Sequence, residues 1–262
     1  MNSFKGLMKK EWLIGKNALL WLLVVQGGLV FISFFASRYF EVAGLFYMCT
    51  WLIMIMQPFI MVSLIFGCLN SDGKTQLWIY NPQSSAILLG SKLLMSVLFQ
   101  MVSIIFSSCL IFVASTIPVS YFQADFQVEN KLGIMGLLKI DAFMLMVSIL
   151  IAVFLLFLWV VYHALARVHS IKHLRWLFVS VLCLGMIILR NEIVNTAFYQ
   201  KLDEIWLIPA MSGSSMNMSE FKLELYLEGG GNISLLTSGL DVIGLVLLFL
   251  AACWLLDRKI EV

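Results

Sequence analysis

Gly73-Lys74-Thr75 ends like a phosphate-binding loop, where backbone amides and a lysine cradle phosphate oxygens and a hydroxyl holds magnesium. The full pattern, G-x-x-x-x-G-K-[ST], needs glycine at position 68, where Cys68 stands; Gly67 is one residue too early. Asp72 would set a carboxylate against the phosphates, so the stretch does not read as a nucleotide site. His169 and His173 are four apart and could share a metal ion on one helical face, with His163 nearby. No carboxylate lies in that stretch and Arg167, Lys172 and Arg175 would repel a cation, which makes it a basic loop. The serines are scattered without hydrolase spacing. The five cysteines (Cys49, Cys68, Cys109, Cys183, Cys253) are odd in number, form no CxxC and fall in apolar stretches, as unreactive buried thiols do. The chain is therefore expected to hold no catalytic residue, metal site or cofactor of its own.

The elements that must position the remaining polar groups are apolar. Of 262 residues, 61% are hydrophobic and 12% charged, with a mean hydropathy of +0.97; a soluble domain is about half apolar and about a quarter charged. No ordinary core could hide so much apolar side chain, so the solvent is lipid. Six segments are long enough to span a hydrocarbon layer of about 30 Å: Asn17–Ser37, Ala43–Cys68, Ala86–Ile117, Lys139–Ala166, Arg175–Leu189 and Leu240–Leu256. The first is too long for a signal-peptide core and is read as retained. Pro58, following Gln57, removes a backbone hydrogen bond and should kink the second span. The span centres carry neutral polar groups, Gln26 beside Gly27-Gly28, Gln57 and Gln100, which glue helices together or line a path. An ion-coupled carrier would need an ionisable pair at mid-membrane, and none is evident: Asp141, Asp241, Lys139 and Arg190 lie toward span ends. An intramembrane protease would need its His, Glu or Ser groups inside spans, and the candidates lie at the edges.

Eleven of the seventeen lysines and arginines fall on one side if the N-terminus is cytoplasmic, which places both termini inside. The net charge of +2 is then a topology signal, with no call for nucleic acid. Ahead of the first span, Phe4, Leu7, Met8, Trp12 and Leu13 can share one face of an interfacial helix, with Lys5, Lys9, Lys10 and Lys16 elsewhere. Outside, "RYFEV" makes a tight hairpin between spans one and two. The larger external segment, Arg190–Gly239, contains a strand-like alternation over Phe221–Glu228 ending in Gly229-Gly230-Gly231. Between spans two and three lies a polar island, Ser71–Lys92. Asp72-Gly73 can start a short helix there, "KTQLWIY" gives it an amphipathic face, Asn81-Pro82 ends it, and Ser84 or Ser85 caps the next helix.

On these residues the chain resembles the membrane subunits of ABC-2 type exporters. In that family an amphipathic connecting helix precedes span one. A cytoplasmic coupling helix between spans two and three reads as an acidic residue, Gly, Thr and spaced leucines, then P-x-S and L-G-K-L-L. Asp72, Gly73, Thr75, Leu77, Pro82, Ser84 and "LLGSKLL" (Leu88–Leu94) match. Lys74 and Ser91 are insertions in that pattern, and the basic residue of the Glu-Arg that often precedes the glycine is missing.

The resemblance implies an all-α polytopic membrane protein, a single domain over 1–262. Its parts would be a connecting helix (1–16), helices 1 and 2 (17–68), a coupling helix (69–85), helices 3 to 5 (86–189), an external element (190–239), and helix 6 with a cytoplasmic tail (240–262). It implies a permease of the bacterial cell membrane without nucleotide chemistry. ATP and Mg would sit on a cognate ABC ATP-binding subunit, in two copies, and a second permease, identical or paralogous, would complete the assembly in membrane lipid. Lys9, Lys10, Glu11, Trp12, Asp72, Lys74, Trp78 and Tyr80 would couple to that ATPase, and Gln26, Gln57 and Pro58 could line the path. The cargo would be hydrophobic or amphipathic, a peptide or antimicrobial toxin. The alternatives are a non-transporting membrane sensor or immunity protein, and an ion-coupled secondary transporter.

Overall fold

The computed structural model describes residues 3–75, 84–116, 134–165, 174–196, 199, 207–209 and 232–259. Among them the chain forms α1 (Ser3–Phe40), α2 (Ala43–Ile55), α3 (Gln57–Thr75), α4 (Ser85–Thr116), α5 (Ile134–Leu165), α6 (Arg175–Asn195), β1 (Leu207–Pro209), β2 (Asn232–Ser234) and α7 (Leu235–Lys259). Among the described residues, five helices are long and apolar enough to cross a membrane; the count is six if α2 and α3, bent by 45° where they meet, form one span. The protein is a helical membrane protein. The expected strand over Phe221–Glu228 lies outside the described residues. The extended structure that is described pairs β1 antiparallel with β2, Ile208 opposite Ile233.

Two boundaries differ from the sequence expectation for physical reasons. The interfacial segment and span one are a single helix, α1, of 38 residues without a break. Nothing between Ser3 and Phe40 is a proline, and Gly6, Gly15, Gly27 and Gly28 each cost only about 1 kcal/mol in a helix already under way. For the same reason Asp72 and Gly73 do not open a helix: α3 runs through them to Thr75. Pro58 acts as expected. Lacking an amide hydrogen, it cannot continue the α2 ladder, which closes at Met56 (amide to Leu52 carbonyl, 3.0 Å) before α3 sets off in its new direction.

The chain divides into two compact units. The described residues of the first are 3–75, 90–116 and 134–151. Here α1 turns into α2 through Glu41 and Val42 alone. Glu41 adopts a left-handed φ of 57°, and the Val42 amide donates back to the Ser37 carbonyl at 3.1 Å. This is a Schellman-type cap built without the usual glycine. Phe34 of α1 then meets Phe46 of α2 edge-on at 5.7 Å. Leu19, Leu64, Met95 and Phe99 form one apolar cluster of α1, α3 and α4, joined by Met8, Leu23 and Ile60. Met54, Ile104, Ile111 and Leu137 form another, of α2, α4 and α5.

The second unit contains the described residues of 84–89, 152–213 and 228–259. The Ser85 amide at the start of α4 donates to Asp257 Oδ1 of α7 (3.2 Å), and its hydroxyl to the Cys253 carbonyl (3.0 Å). A carboxylate at a helix N-terminus answers both the orphan amide and the positive end of the helix dipole. Arg190 of α6 grips Asp241 of α7 with two hydrogen bonds, 2.9 and 3.0 Å. At the α5–α6 end, Arg175 stacks 4.8 Å from the Tyr162 ring, which also contacts Trp176.

Gly15 is the tightest approach in the first unit. A Cβ there would stand 2.2 Å from the ring edge of Phe99, itself buried. Gly28 has open space in the same direction. Replacing a mid-helix glycine by alanine ordinarily gains about 1 kcal/mol, so Gly28→Ala should raise the thermal unfolding midpoint of the purified protein or leave it unchanged. Gly15→Ala should lower it, with overpacking costing about 1–3 kcal/mol.

Candidate functional site

Two polar constellations stand out inside the first unit. The larger is neutral. On α4, Gln100, Ser103 and Ser107 recur at a spacing of three and four, so one face of an otherwise apolar helix is polar. That face meets the α2–α3 bend. Gln100 Nε2 donates to the Gln57 backbone carbonyl (2.9 Å) and to its Oε1 (3.2 Å). The Ser103 hydroxyl donates to Gln57 Oε1 at 3.0 Å and accepts from Gln26 Nε2 of α1, also at 3.0 Å. Gln57 Nε2 donates to the Ser107 hydroxyl (3.0 Å), whose own hydrogen goes to the Ile104 carbonyl (2.9 Å), with the Met54 sulfur 3.4 Å away.

All five residues are buried. Every proton in the chain of bonds has one direction, and the network ends in acceptors: Gln26 Oε1 and Gln100 Oε1 have no partner among the described residues. The network contains no carboxylate, imidazole or thiol. The arrangement joins three helices at a bend, and rotation of α3 about that bend must break or exchange these bonds.

The smaller constellation is charged. Lys92 Nζ lies 2.7 Å from Glu11 Oε1, both side chains 1% exposed. Leu7, Glu11, Gly15 and Leu19 follow at four-residue spacing and are all buried, so the continuity of α1 turns Glu11 inward. Glu11 Oε2 has no partner among the described residues. The expectation of neutral polar groups concerned the span centres, and this pair lies outside them, toward the starts of α1 and α4. The pair escaped notice because its halves are 81 positions apart and each looked like an ordinary helix-end charge.

The residues singled out from sequence are placed as follows. Lys9 is exposed and Lys10 half-buried. Glu11 is sequestered on Lys92, and Trp12 is 47% exposed, tilted against Phe99 at 5.3 Å between ring centroids. Asp72 and Lys74 belong to the last turn of α3, while Trp78 and Tyr80 lie outside the described residues, as do His169 and His173. Gln26, Gln57 and Pro58 are buried, the glutamines in the network. His163 is within 2.9 Å of the Trp159 carbonyl of its own helix and stacks on the Trp159 ring. Sequence reasoning missed Lys92, Ser103 and Ser107, and the role of Asp257. Only Gln100-x-x-Ser103-x-x-x-Ser107 carried a readable signal, three polar residues on one helical face.

No family model matches the chain, and no solved structure matches it. The chain is similar to the uncharacterized protein YhcE of Bacillus subtilis (strain 168), with 26% identity over 272 aligned positions that cover all of both chains.

Removing one half of the ion pair strands the other charge away from water. Lys92→Met should cost about 3–5 kcal/mol of stability, and combining it with Glu11→Gln should recover much of that. A double-mutant cycle in chemical unfolding of the purified protein checks this. Additive single effects would show that the two charges are not coupled.

Proposed function

We propose that this chain is the membrane permease of an ABC-type exporter, driven by separate ATP-binding subunits. One observation carries the reading. The bent α2–α3 pair emerges from its apolar stretch as continuous helix through Asn70, Ser71, Asp72 and Gly73, where the resemblance puts the lever. A helix transmits force along its axis. A push on the Asp72 end of α3 would arrive at Gln57, whose amide and carbonyl hold α4 and, through Ser103, α1.

In this reading α2 and α3 are one span, six spans cross the bacterial cell membrane, and both termini and the 71–92 segment are cytoplasmic, as the distribution of lysine and arginine supports. One ATP-binding subunit docks on the Asp72–Tyr80 segment of each permease, two in all, with Asp72, Lys74, Trp78 and Tyr80 as contacts. Glu11, occupied by Lys92, is not available to them. A second permease, identical or paralogous, completes the path. The spans offer methionine and phenylalanine (15 and 20 in the chain), and the mid-level of α4 is neutral, which suits a hydrophobic or amphipathic cargo such as a peptide. The buried charge of Glu11 and Lys92 lies eight residues from Gln100, about 12 Å along α4 toward its start, rather than at its centre, which disfavours ion coupling.

The full chain, tagged and purified from the membranes of its own host, should bring down an ATP-binding subunit and alter that subunit's hydrolysis rate. Asp72→Lys combined with Trp78→Ala should still insert into the membrane, yet weaken docking by about tenfold or more and uncouple hydrolysis from export. A chain that recruits no ATPase, or a double variant with unchanged hydrolysis and transport, overturns the assignment; a sensor or immunity protein would bind its ligand with no ATPase present.

A further inference from the structure

Among the described residues, four buried side-chain oxygens have no hydrogen-bond partner: Glu11 Oε2, Ser37 Oγ, Gln26 Oε1 and Gln100 Oε1. The last two belong to one network, on the two carboxamides that flank Gln57 Oε1. Gln26 and Gln100 are 4% and 0% exposed, so bulk solvent serves neither oxygen. Turning the carboxamides over does not repair this, because the chain of bonds starts from a backbone carbonyl, which cannot turn. The Gln57 carbonyl takes Gln100 Nε2 at 2.9 Å, and a reversed Gln100 would press its oxygen against that carbonyl. With Gln100 fixed, Gln57 must keep Oε1 toward Gln100 Nε2 at 3.2 Å. Ser103 has one hydroxyl hydrogen and gives it to that same Oε1, so toward Gln26 it accepts, and Gln26 points its own oxygen elsewhere. Handing the Ser103 hydrogen to Gln26 would only take it from Gln57. The seam is short of hydrogens however its side chains are arranged.

A ligand for such a place must bring hydrogens. An anion or a carbonyl brings none. Calcium and magnesium take about six or more oxygens, and the seam has two unspent and no carboxylate to balance the charge. A group of cargo size would have to part α1 from α4, which the Gln26–Ser103 bond holds together. We infer that Gln26 Oε1 and Gln100 Oε1 share one internal water molecule, which gives a hydrogen to each. Buried waters are found where polar groups are otherwise unsatisfied, and each needs two to four polar partners. The water also has a task at the bend. When α3 turns about Met56 and Gln57, the bonds from Gln57 to Gln100 and Ser103 must be exchanged. A solvent molecule carried inside accepts from the released Gln100 Nε2, so the exchange passes through bonded states instead of bare polar groups in lipid. The inference concerns the bend itself and does not depend on the transport reading.

The full-length protein, crystallised from a lipid mesophase, should show one ordered water within about 3 Å of both oxygens. A second measurement uses the protein in lipid bilayers, with isotope-labelled glutamine, leucine and methionine. Magnetisation passed from water protons should reach the side chains of Gln26 and Gln100 readily, and those of Leu19, Leu64 and Met95 in the neighbouring apolar cluster slowly. Gln26→Met keeps the side-chain length and removes the acceptor. It should cut the transfer to Gln100 several-fold while the apolar cluster stays as in wild type. Exchanging sodium for potassium, or replacing both by an organic cation, should change nothing. A dry seam overturns the inference, as does a water on one oxygen alone or an unaltered transfer to Gln100 in Gln26→Met. A signal that follows the sodium or potassium concentration makes the place an ion site and overturns it too. Should Gln26→Met fail to fold, the two wild-type measurements still decide.

Discussion

A polar group withdrawn from water into a lipid-embedded helix bundle has no solvent to fall back on, and the architecture of the first unit follows from how that demand is met at one bend. Pro58 interrupts the α2–α3 ladder, and the interruption puts the backbone carbonyl and side-chain amide of Gln57 where neither water nor lipid can serve them. Gln100, Ser103 and Ser107 supply the partners from one face of α4, and Ser103 passes the connection on to Gln26 of α1. Between helices in lipid there is little hydrophobic driving force, so directional bonds and close packing choose which faces meet. The same bend that weakens one helix is thus the point at which three helices are registered.

Charge obeys the same rule at the bundle's more polar levels. Glu11 and Lys92 neutralise each other inside the first unit; Asp257 serves the amide of buried Ser85 at the start of α4; Arg190 and Asp241 tie α6 to α7. Each pair joins segments far apart in sequence. Each also removes a charge that would otherwise have been free to recruit a partner or bind an ion. Among the described residues, Lys5, Lys9 and Lys16 of α1 are exposed and make no ion pair, and α3 continues beyond its apolar stretch through the polar sequence Asn70–Thr75.

Composition and hydropathy alone determined that this is a helical membrane protein. They placed the apolar stretches, the kink at Pro58 and the tight turn after Phe40, because these depend on local chemistry: apolar length, a missing amide hydrogen, two residues between two helices. They also marked Gln26, Gln57 and Gln100 as the polar anomalies of the spans. Tertiary structure decided which anomalies meet. Whether a glutamine glues or lines a path depends on the helix opposite it, and Ser103 and Ser107 are unremarkable serines until Gln57 faces them. Glu11 and Lys92 each read as a helix-end charge because the one turn of sequence around either says nothing about a neighbour 81 residues away; only the packing of α1 on α4, made close by Gly15 against Phe99, brings them within 2.7 Å and takes both out of solvent.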